Sequence, residues 1–219
     1  MKILITGGSS GLGKSILEKI HLNNEVHFTY NSSIDSSKEI LKKFKNTFSY
    51  KCDFNNENEI ELFLKKIENI EFDVLINNYY SGKFLDRHFK KTSKFDFLEI
   101  FKNNILPVIQ ISQLLLEKFK VKKKGLIISI SSEVVNSPPV GTSLYVVVKS
   151  VIEQLSKVWN SEYKKYGIKS VVVSPSFMRT NLTSKIDERV IELFFENDDN
   201  INEIENISNS IYNIINSHN

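Results

Sequence analysis

The chain opens with the run Lys2-Ile-Leu-Ile-Thr-Gly-Gly-Ser-Ser-Gly-Leu-Gly13, and this run decides the fold. After Lys2, the residues Ile3 to Thr6 are apolar or β-branched and predict a short buried strand. The glycines that follow predict a tight turn, and apolar residues at helical spacing come next. A strand, a glycine turn and a helix in this order are typical of a dinucleotide site. Glycines let the backbone approach a pyrophosphate, and the helix N-terminus offers free N–H groups and partial positive charge.

Strand and helix patterns alternate along the rest of the chain, which favours an α/β fold with helices on both faces of a parallel sheet. Strands are predicted near residues 2–6, 25–30, 47–52, 73–77, 124–131 and 168–174. Helices are predicted near residues 11–22, 35–45, 56–69, 93–119, 142–166 and 200–217, with residues 196–200 as a loop before the last one. No repeat or linker divides the chain, so residues 1–219 are expected to form one domain.

Tyr145 and Lys149 stand four residues apart in a predicted helix, so their side chains share one face. A phenol has a pKa of about 10 and is a poor acid or base at neutral pH. A neighbouring ammonium favours the phenolate, and the pair therefore predicts a tyrosine used in proton transfer.

The spacing Thr6-Gly7-x-x-x-Gly11-x-Gly13 differs from the G-x-G-x-x-G of ordinary dinucleotide folds. With the Tyr145/Lys149 element it resembles the short-chain dehydrogenase/reductase family, over residues 2 to about 180. The resemblance implies a doubly wound, Rossmann-type sheet. It also implies an oxidoreductase that interconverts a carbonyl and a secondary alcohol. Family members usually end in a seventh strand with a Gly-Gly pair. No such pattern follows Ile211, so a sheet of about six strands is expected.

The resemblance also assigns catalytic roles. Tyr145 would be the general acid/base, and Lys149 would lower its pKa and bind the nicotinamide ribose. A serine would hold the substrate carbonyl. Ser132 fits this role thirteen residues before Tyr145, with Ser131 as the competing candidate.

An asparagine would position a water in the family's proton relay. Asn104, in the segment Asn103-Asn104-Ile105-Leu106-Pro107, matches it, and Asn103 is a near rival.

The end of the second strand, Tyr30 to Ser33, carries no Asp or Glu that would grip the ribose hydroxyls of NAD. Asn31 and the serines after it can donate hydrogen bonds to the extra phosphate of NADP instead. NADP(H) is therefore favoured over NAD(H), although no arginine is present at this position. Lys14 or Lys38 can supply positive charge.

Further cofactor contacts follow from the resemblance. Asp53 resembles the aspartate that binds the adenine amino group, although a turn role for it stays open. Asn78 matches the segment beneath the cofactor, and Thr180 matches the threonine that holds the carboxamide. The predicted cofactor-binding residues are Gly7, Ser9, Ser10, Gly11, Leu12, Gly13, Asn31, Asp53, Asn78, Tyr145, Lys149 and Thr180.

The chain departs from the family pattern at two places. The Asn-Asn-Ala-Gly segment reads Asn77-Asn78-Tyr79-Tyr80, so two bulky rings replace its smallest residues, and Ser176 replaces the glycine after Pro175. Neither change removes a group that the reaction uses. The rings favour a specialised biosynthetic ketoreductase over a housekeeping fatty-acid role.

Composition narrows the remaining possibilities. The balance of 29 basic and 26 acidic residues gives no indication of a nucleic-acid surface. One cysteine, Cys52, excludes an internal disulfide framework and suits a reducing cytosol. No apolar run approaches the roughly 20 residues of a membrane span. The first strand begins at residue 2, so no signal peptide is expected. The expected location is the cytoplasm. The four histidines lack metal-ligand spacing, and no metal is expected.

The expected partner is a small-molecule carbonyl or alcohol. The family's two long helices, here near 93–119 and 142–166, are expected to form a homodimer. The alternative is a catalytically silent dinucleotide-binding sensor or scaffold. An epimerase or dehydratase of the longer related family is disfavoured, because the chain has neither its G-x-x-G-x-x-G spacing nor its extra substrate domain.

Overall fold

The computed structural model describes residues 1–184, 186, 189, 191 and 204–218. Strands and helices alternate along these residues, as the sequence predicts. The strands are β1 (Lys2–Ile5), β2 (Glu25–Tyr30), β3 (Thr47–Lys51), β4 (Val74–Asn77), β5 (Gly125–Ile130) and β6 (Ile168–Val173). The α-helices with described bounds are α1 (Gly11–Ile20), α2 (Ile34–Lys43), α3 (Glu57–Ile67), α4 (Lys94–Lys122), α5 (Ser143–Tyr163) and α6 (Ile204–Asn216).

The six strands form one parallel sheet in the order β3-β2-β1-β4-β5-β6. The chain builds outward from β1 in one direction and then returns to continue from β4 in the other. Leu4 of β1 therefore lies between His27 of β2 and Leu75 of β4. In open α/β sheets a crevice forms beyond the carboxyl ends of the strands where the order reverses. The fold thus predicts a ligand site at the ends of β1 and β4.

Each face of the sheet is covered by helices, because successive strand residues point to opposite sides. Ile3 and Ile5 pack with α1, α2 and α6, whereas Leu4 between them packs with α3, α4 and α5. Strands buried on both faces read as continuous apolar runs, which explains the apolar character of β1, β4 and β5. The predicted doubly wound sheet of six strands is confirmed.

The helix ends differ from the prediction by a few residues. Helix α4 begins after a capping box between Ser93 and Asp96 and continues to Lys122, beyond the predicted end at 119. Helix α5 ends at Tyr163, because residues 164–166 form a 3-10 turn. Of the predicted helix near 200–217, residues 204–216 are observed. Residues 200–203 and the predicted loop 196–200 lie outside the described residues.

Helix α6 packs against α1 and supports the helix that follows the glycine turn. Ser15 Oγ donates a hydrogen bond to Ser208 Oγ at 2.9 Å, and both residues lie inside this contact. Lys19 Nζ lies 2.6 Å from Glu205 Oε1 at its edge. Exposed ion pairs contribute little to stability. The contact between α1 and α6 is therefore stabilised mainly by the burial of Ile211 and Ile215.

Candidate active site

A cleft of about 430 Å³ lies at the carboxyl ends of the central strands. This volume falls within the usual range of small-molecule and cofactor sites. Its lining joins the glycine turn, the end of β2, the segment after β4 and one face of α5. The predicted residues that line it are Gly7, Ser9, Ser10, Gly11, Leu12, Asn31, Asn78, Tyr145, Lys149 and Thr180. Residues far apart in the sequence therefore meet at the crevice that the strand order predicts.

The glycine turn has no space for side chains at two of its positions. A Cβ on Gly13 would lie 2.2 Å from the carbonyl oxygen of Gly7, and one on Gly8 would lie 2.6 Å from Phe28 Cβ. Gly7 also has φ of +70°, which side-chain-bearing residues rarely adopt. Gly13, which the sequence predicts as a cofactor-binding residue, is not among the residues that line the cleft, and its lack of a side chain lets the turn pack closely on the helix.

Asn78 fixes the turn from below. Its Nδ2 donates to the carbonyl oxygens of Thr6 and Gly7, at 3.0 Å each. Thr6 Oγ1 in turn accepts the backbone N–H groups of Asn78 and Tyr79. The end of β4 therefore holds the glycine turn in shape, and Asn78 acts on the cleft by positioning this backbone.

The start of α1 leaves donors available to an anion. Ser10 is the N-cap residue, and its side chain makes no capping hydrogen bond. The first N–H groups of a helix have no partner within the helix, so those of α1 are free to bind a negatively charged group. Together with the glycine cradle, this arrangement fits a dinucleotide pyrophosphate.

The outer end of the cleft lies at β2. Asn31, Ser32 and Ser33 line it, and no carboxylate from the end of β2 does. Asp53 is not among the lining residues, although its neighbours Cys52, Phe54 and Asn55 are. The Asp53 carboxylate instead accepts the backbone N–H of Asn55 at 2.9 Å. This is the turn role that the sequence also allows for Asp53.

Thr180 lines the cleft on the far side of the glycine turn. A Cβ on Gly11 would lie 3.8 Å from Thr180 Cβ, so the two residues face each other across the entrance to α1. The hydroxyl of Thr183 accepts the N–H of Thr180 at 2.9 Å and fixes its backbone.

Tyr145 and Lys149 lie together in the inner wall, as their spacing predicts. Lys149 Nζ lies 5.7 Å from the Tyr145 ring centroid and donates to the carbonyl oxygen of Ile130 at 2.8 Å. Burial lowers the pKa of Lys149 to about 8. Burial also raises the pKa of Tyr145 to about 12, while a hydrogen bond with the Ser132 hydroxyl acts in the opposite direction. Desolvation thus outweighs the pKa lowering that the sequence pattern predicts for the phenol.

The two candidate serines have different partners. Ser131 Oγ donates to Glu153 Oε1 at 2.6 Å, and Ser174 Oγ donates to the same oxygen at 3.3 Å. Ser132 Oγ contacts Tyr145 and lies 3.5 Å from the carbonyl oxygen of Pro175. The hydroxyl next to Tyr145 is therefore that of Ser132.

Asn104 lies behind the cleft rather than on its wall. Its Oδ1 accepts the N–H of Ser81 at 2.7 Å, and its Nδ2 donates to the carbonyl oxygens of Ser81 and Ile100, at 2.9 Å each. Asn104 is buried, with 1% of its surface exposed. In this position it fixes the segment that leads from β4 past the cleft.

The two rings that replace the family's small residues point in different directions. Tyr79 packs with its ring centroid 4.6 Å from that of Phe54, on the side of α3. Tyr80 lies beside the predicted catalytic pair: its ring centroid is 4.9 Å from that of Tyr145 and 5.6 Å from Lys149 Nζ. The Tyr80 hydroxyl donates to the carbonyl oxygen of Lys83 at 3.2 Å.

Three further residues at the site have no catalytic or cofactor-binding role predicted from the sequence. Glu153 follows Lys149 by four positions, a helical spacing that could have placed it on the same face of α5. Tyr80 and Phe84 belong to the segment 79–92, which the sequence predicts to line the substrate cleft, and the Phe84 ring centroid lies 5.0 Å from that of Tyr145.

Two classes of feature are missing from the described residues. They contain no group of three His, Cys, Asp or Glu side chains placed to hold a metal ion. None of their helices combines the length and apolar character that a bilayer span requires.

A family model described as "short chain dehydrogenase" matches residues 1–190 of the chain. The chain belongs to this family. It is accordingly an oxidoreductase, and the short-chain dehydrogenase fold accounts for both the six-stranded sheet and the position of the cleft.

Curated relatives are distant from this short-chain dehydrogenase in sequence. Carbonyl reductase family member 4 of Xenopus laevis is 26% identical over 186 residues, which cover 84% of this chain and 78% of that protein. A 3-oxoacyl-[acyl-carrier-protein] reductase of Aquifex aeolicus is 25% identical over 200 residues, covering 88% and 80%.

Solved structures share the fold at lower identity. A short-chain dehydrogenase from Sphingobium yanoikuyae in complex with NADPH superposes with a TM-score of 0.84 at 19% identity, covering 99% of this chain and 85% of that chain. A 3-ketoacyl-(acyl-carrier-protein) reductase from Brucella melitensis complexed with NADH gives 0.82 at 17% identity, covering 96% and 88%.

Proposed function

We propose that this short-chain dehydrogenase reduces a ketone to a secondary alcohol with NADPH, in a specialised biosynthetic role. The observation that carries this proposal is the position of Tyr145 and Lys149 on the inner wall of a glycine-lined cleft, with the Ser132 hydroxyl hydrogen-bonded to Tyr145 in the adjoining recess. When bound, the dinucleotide supplies hydride to the carbonyl carbon. The relatives named as reductases, and the NADPH and NADH complexes of similar folds, support this chemistry.

The proton in this reaction comes from Tyr145. Ser132 donates a hydrogen bond to the carbonyl oxygen and polarises it, and the Tyr145 hydroxyl gives its proton to the same oxygen as the C–O bond gains negative charge. The phenolate that remains is stabilised by the Lys149 ammonium. Burial raises the pKa of Tyr145 to about 12, which keeps the phenol protonated at neutral pH but weakens it as an acid, so proton transfer depends on stabilisation of the phenolate by Lys149.

Asn104 contributes to this site as the family's relay residue. Its hydrogen bonds to the Ser81 backbone support a second contribution, because they anchor the segment that carries Tyr80. The carbonyl oxygen of Ile130, which accepts from Lys149, fixes the direction of the ammonium.

The preference for NADP(H) over NAD(H) is proposed from the end of β2. Asn31, Ser32 and Ser33 line the cleft there without a carboxylate to repel a ribose phosphate. Asn31→Asp is expected to shift the preference toward NAD(H), since a carboxylate grips ribose hydroxyls and repels the phosphate. Affinities for both nucleotides, measured by fluorescence before and after the change, test this proposal. An unchanged ratio would count against it.

Homodimer formation through α4 and α5 is also proposed. Leu98 and Leu106 of α4 are 64% and 50% exposed, and Val158 of α5 is 46% exposed. These exposed apolar side chains on both helices are available to pack against a second copy of the chain. Light scattering is expected to show a dimer that Leu106→Glu dissociates.

The test of the reaction combines nucleotide binding with turnover. NADPH is expected to bind the wild-type protein and Tyr145→Phe with similar affinity. Only the wild type is expected to oxidise NADPH when ketones are supplied, because the variant lacks the proton donor; general acid catalysis contributes about 10²–10⁴-fold to such rates. Binding without turnover in the wild type would identify the alternative, a dinucleotide sensor or scaffold.

A further inference from the structure

A small recess opens beside Tyr145, and Lys149 is not among the residues that line it. Its volume is about 40 Å³, and its wall includes Phe84, Val134, Tyr145, Phe177, Met178 and Leu182. Ser132 also lines it, so both hydroxyls that are proposed to act on the substrate oxygen border this space. A substituent on the carbonyl carbon would therefore enter the recess when the carbonyl oxygen meets Ser132 and Tyr145.

The wall of the recess is apolar and tightly packed. The Phe84 ring lies edge to face against Tyr145, with centroids 5.0 Å apart, and 6.2 Å from the Phe177 ring. Phe84, Val134 and Phe177 are 6%, 5% and 4% exposed. Offset ring pairs of this kind hold one another in place, so the recess has a defined shape.

Two of the polar side chains that line the recess, Ser131 and Thr183, make hydrogen bonds within the protein. Thr183 Oγ1 donates to the carbonyl oxygen of Met178 at 2.7 Å and accepts the N–H of Thr180. Ser131 donates to Glu153. Among the described residues that line the recess there is no charged side chain. A charged substituent would lose its hydration here without gaining a partner, which is costly.

The volume limits the size of the group that fits. A cavity needs about 10–15 Å³ to hold one water molecule. A recess of about 40 Å³ therefore accepts a chain of about three heavy atoms.

We propose that the substrate is a ketone with one short, uncharged, apolar substituent of about one to three carbons, which is held in the Phe84–Phe177 recess. This inference rests on the proposed carbonyl reduction and adds the substrate class. The second substituent extends into the open cleft, and the recess places no limit on its length. Phe84 is thus a specificity-determining residue.

The first test compares ketones that differ only in the group offered to the recess. With NADPH, 3-nonanone (ethyl and hexyl) is expected to exceed its isomer 5-nonanone (two butyl groups) in kcat/KM by about ten-fold or more, the effect of a misfitted methylene in an apolar pocket. It is expected to exceed 2-oxooctanoate by a similar factor. That oxoacid keeps the hexyl group but offers a carboxylate to the recess.

The second test changes the recess. Phe84→Ala is expected to raise the 5-nonanone to 3-nonanone ratio by about ten-fold, since the removed ring makes room for the butyl group. Phe89→Ala is the matched control, because Phe89 is 69% exposed and outside the recess; its ratio is expected to match the wild type. Should Phe84→Ala fail to fold, Phe177→Leu enlarges the opposite wall and is expected to move the ratio in the same direction.

A binding measurement completes the test without turnover. With NADP⁺ present, saturation-transfer NMR of 3-nonanone is expected to show stronger transfer to its ethyl methyl group than to the hexyl terminus. A higher kcat/KM for 5-nonanone or 2-oxooctanoate than for 3-nonanone would overturn the recess inference while carbonyl reduction stands. Equal saturation transfer to the two ends of 3-nonanone would do the same. Failure of every carbonyl to oxidise NADPH would overturn both proposals.

Discussion

The ring of Tyr80 meets the ring of Tyr145 edge to face, with centroids 4.9 Å apart and an interplanar angle of 78°. The same Tyr80 ring lies 5.6 Å from Lys149 Nζ. Edge-to-face pairs contribute about 0.5–1.5 kcal/mol beyond their buried area, and a cation over a ring face is favoured as well. Tyr80 is thus part of the packing that orients the proposed acid and its lysine.

Replacing Tyr80 separates the contribution of the ring from that of its hydroxyl. Tyr80→Phe keeps the ring and is expected to retain most of the activity, losing only the hydrogen bond to Lys83, which is worth about 1 kcal/mol. Tyr80→Ala removes the ring and is expected to destabilise the fold by about 2–4 kcal/mol and to lower kcat. Urea unfolding and steady-state kinetics measure both effects. Equal kinetics for the two variants would contradict the positioning role.

The serine pair offers a matched comparison. Ser132→Ala removes the hydroxyl beside Tyr145 and is expected to lower kcat/KM about 10²–10³-fold, as for the loss of one donor to a developing oxyanion. Ser131→Ala breaks the hydrogen bond to Glu153 and is expected to cost about 1 kcal/mol of stability with a much smaller kinetic effect. The opposite ranking in kcat/KM would assign the substrate contact to Ser131.

The close contacts around Gly13 predict that an added side chain there would disrupt the glycine turn. A Cβ at position 13 would lie 2.2 Å from the Gly7 carbonyl oxygen and 2.7 Å from Asn78 Nδ2. Gly13→Ala is therefore expected to distort the turn, to destabilise the protein by about 1–3 kcal/mol and to weaken NADPH binding. Glu18→Ala, on the exposed face of the same helix, is the control and is expected to bind NADPH normally. Normal binding by Gly13→Ala would show that this close approach is not needed.

Lys149 has a pKa that can be measured directly. Burial lowers this pKa to about 8, so the ammonium is expected to lose its proton as the pH rises through that value. NMR of ¹³Cε-labelled lysine, with Lys149→Met used to assign the signal, follows the titration in the protein without added nucleotide. A midpoint at about 10.4, the ordinary lysine value, would show that the amine is hydrated.

His27 predicts a loss of stability in acid. Burial lowers its pKa, and its ring nitrogens contact Glu25 and Tyr50, each at 2.8 Å. The hydrogen bond to His27 in turn lowers the pKa of Glu25. Unfolding frees His27 to bind a proton below about pH 6.5, so protons favour the unfolded state there. The ionised Glu25 carboxylate also stabilises the folded state. This stabilisation is lost at a lower pH, as the pH falls through the lowered pKa of that carboxyl.

Urea unfolding at a series of pH values measures this effect. The free energy of unfolding is expected to fall below about pH 6.5, by at most about 1.4 kcal/mol per pH unit for one proton. His27→Phe, which preserves the stacking on Phe48 at 4.7 Å, is expected to remove the His27 part of the slope. His88→Gln, at an exposed histidine, should leave it intact. If the pH dependence of the unfolding free energy persists in His27→Phe, other groups cause it.

The sequence predicted the elements of the fold because each carries a local signal. The period of apolar residues distinguishes strands from helices, and the glycine turn after β1 marks the start of a crossover. The Tyr145/Lys149 pair was also readable, because four residues along a helix fix two side chains on one face whatever else surrounds them. The boundaries were less predictable: α4 ends where Lys123 adopts a positive φ, and α5 ends at Tyr163 where the chain changes to a 3-10 turn, which propensity alone does not specify.

Only the tertiary structure decided which groups face the cleft and how they ionise. Whether Ser131 or Ser132 meets Tyr145 depends on the direction of each side chain after β5, and a shift of one residue reverses that direction. The pKa of Tyr145 depends on how much surface the fold removes from water, and the contacts of Tyr80 and Phe84 depend on a loop that Asn104 fixes across 23 residues of sequence. Such contacts join distant segments, so no local pattern in the sequence encodes them.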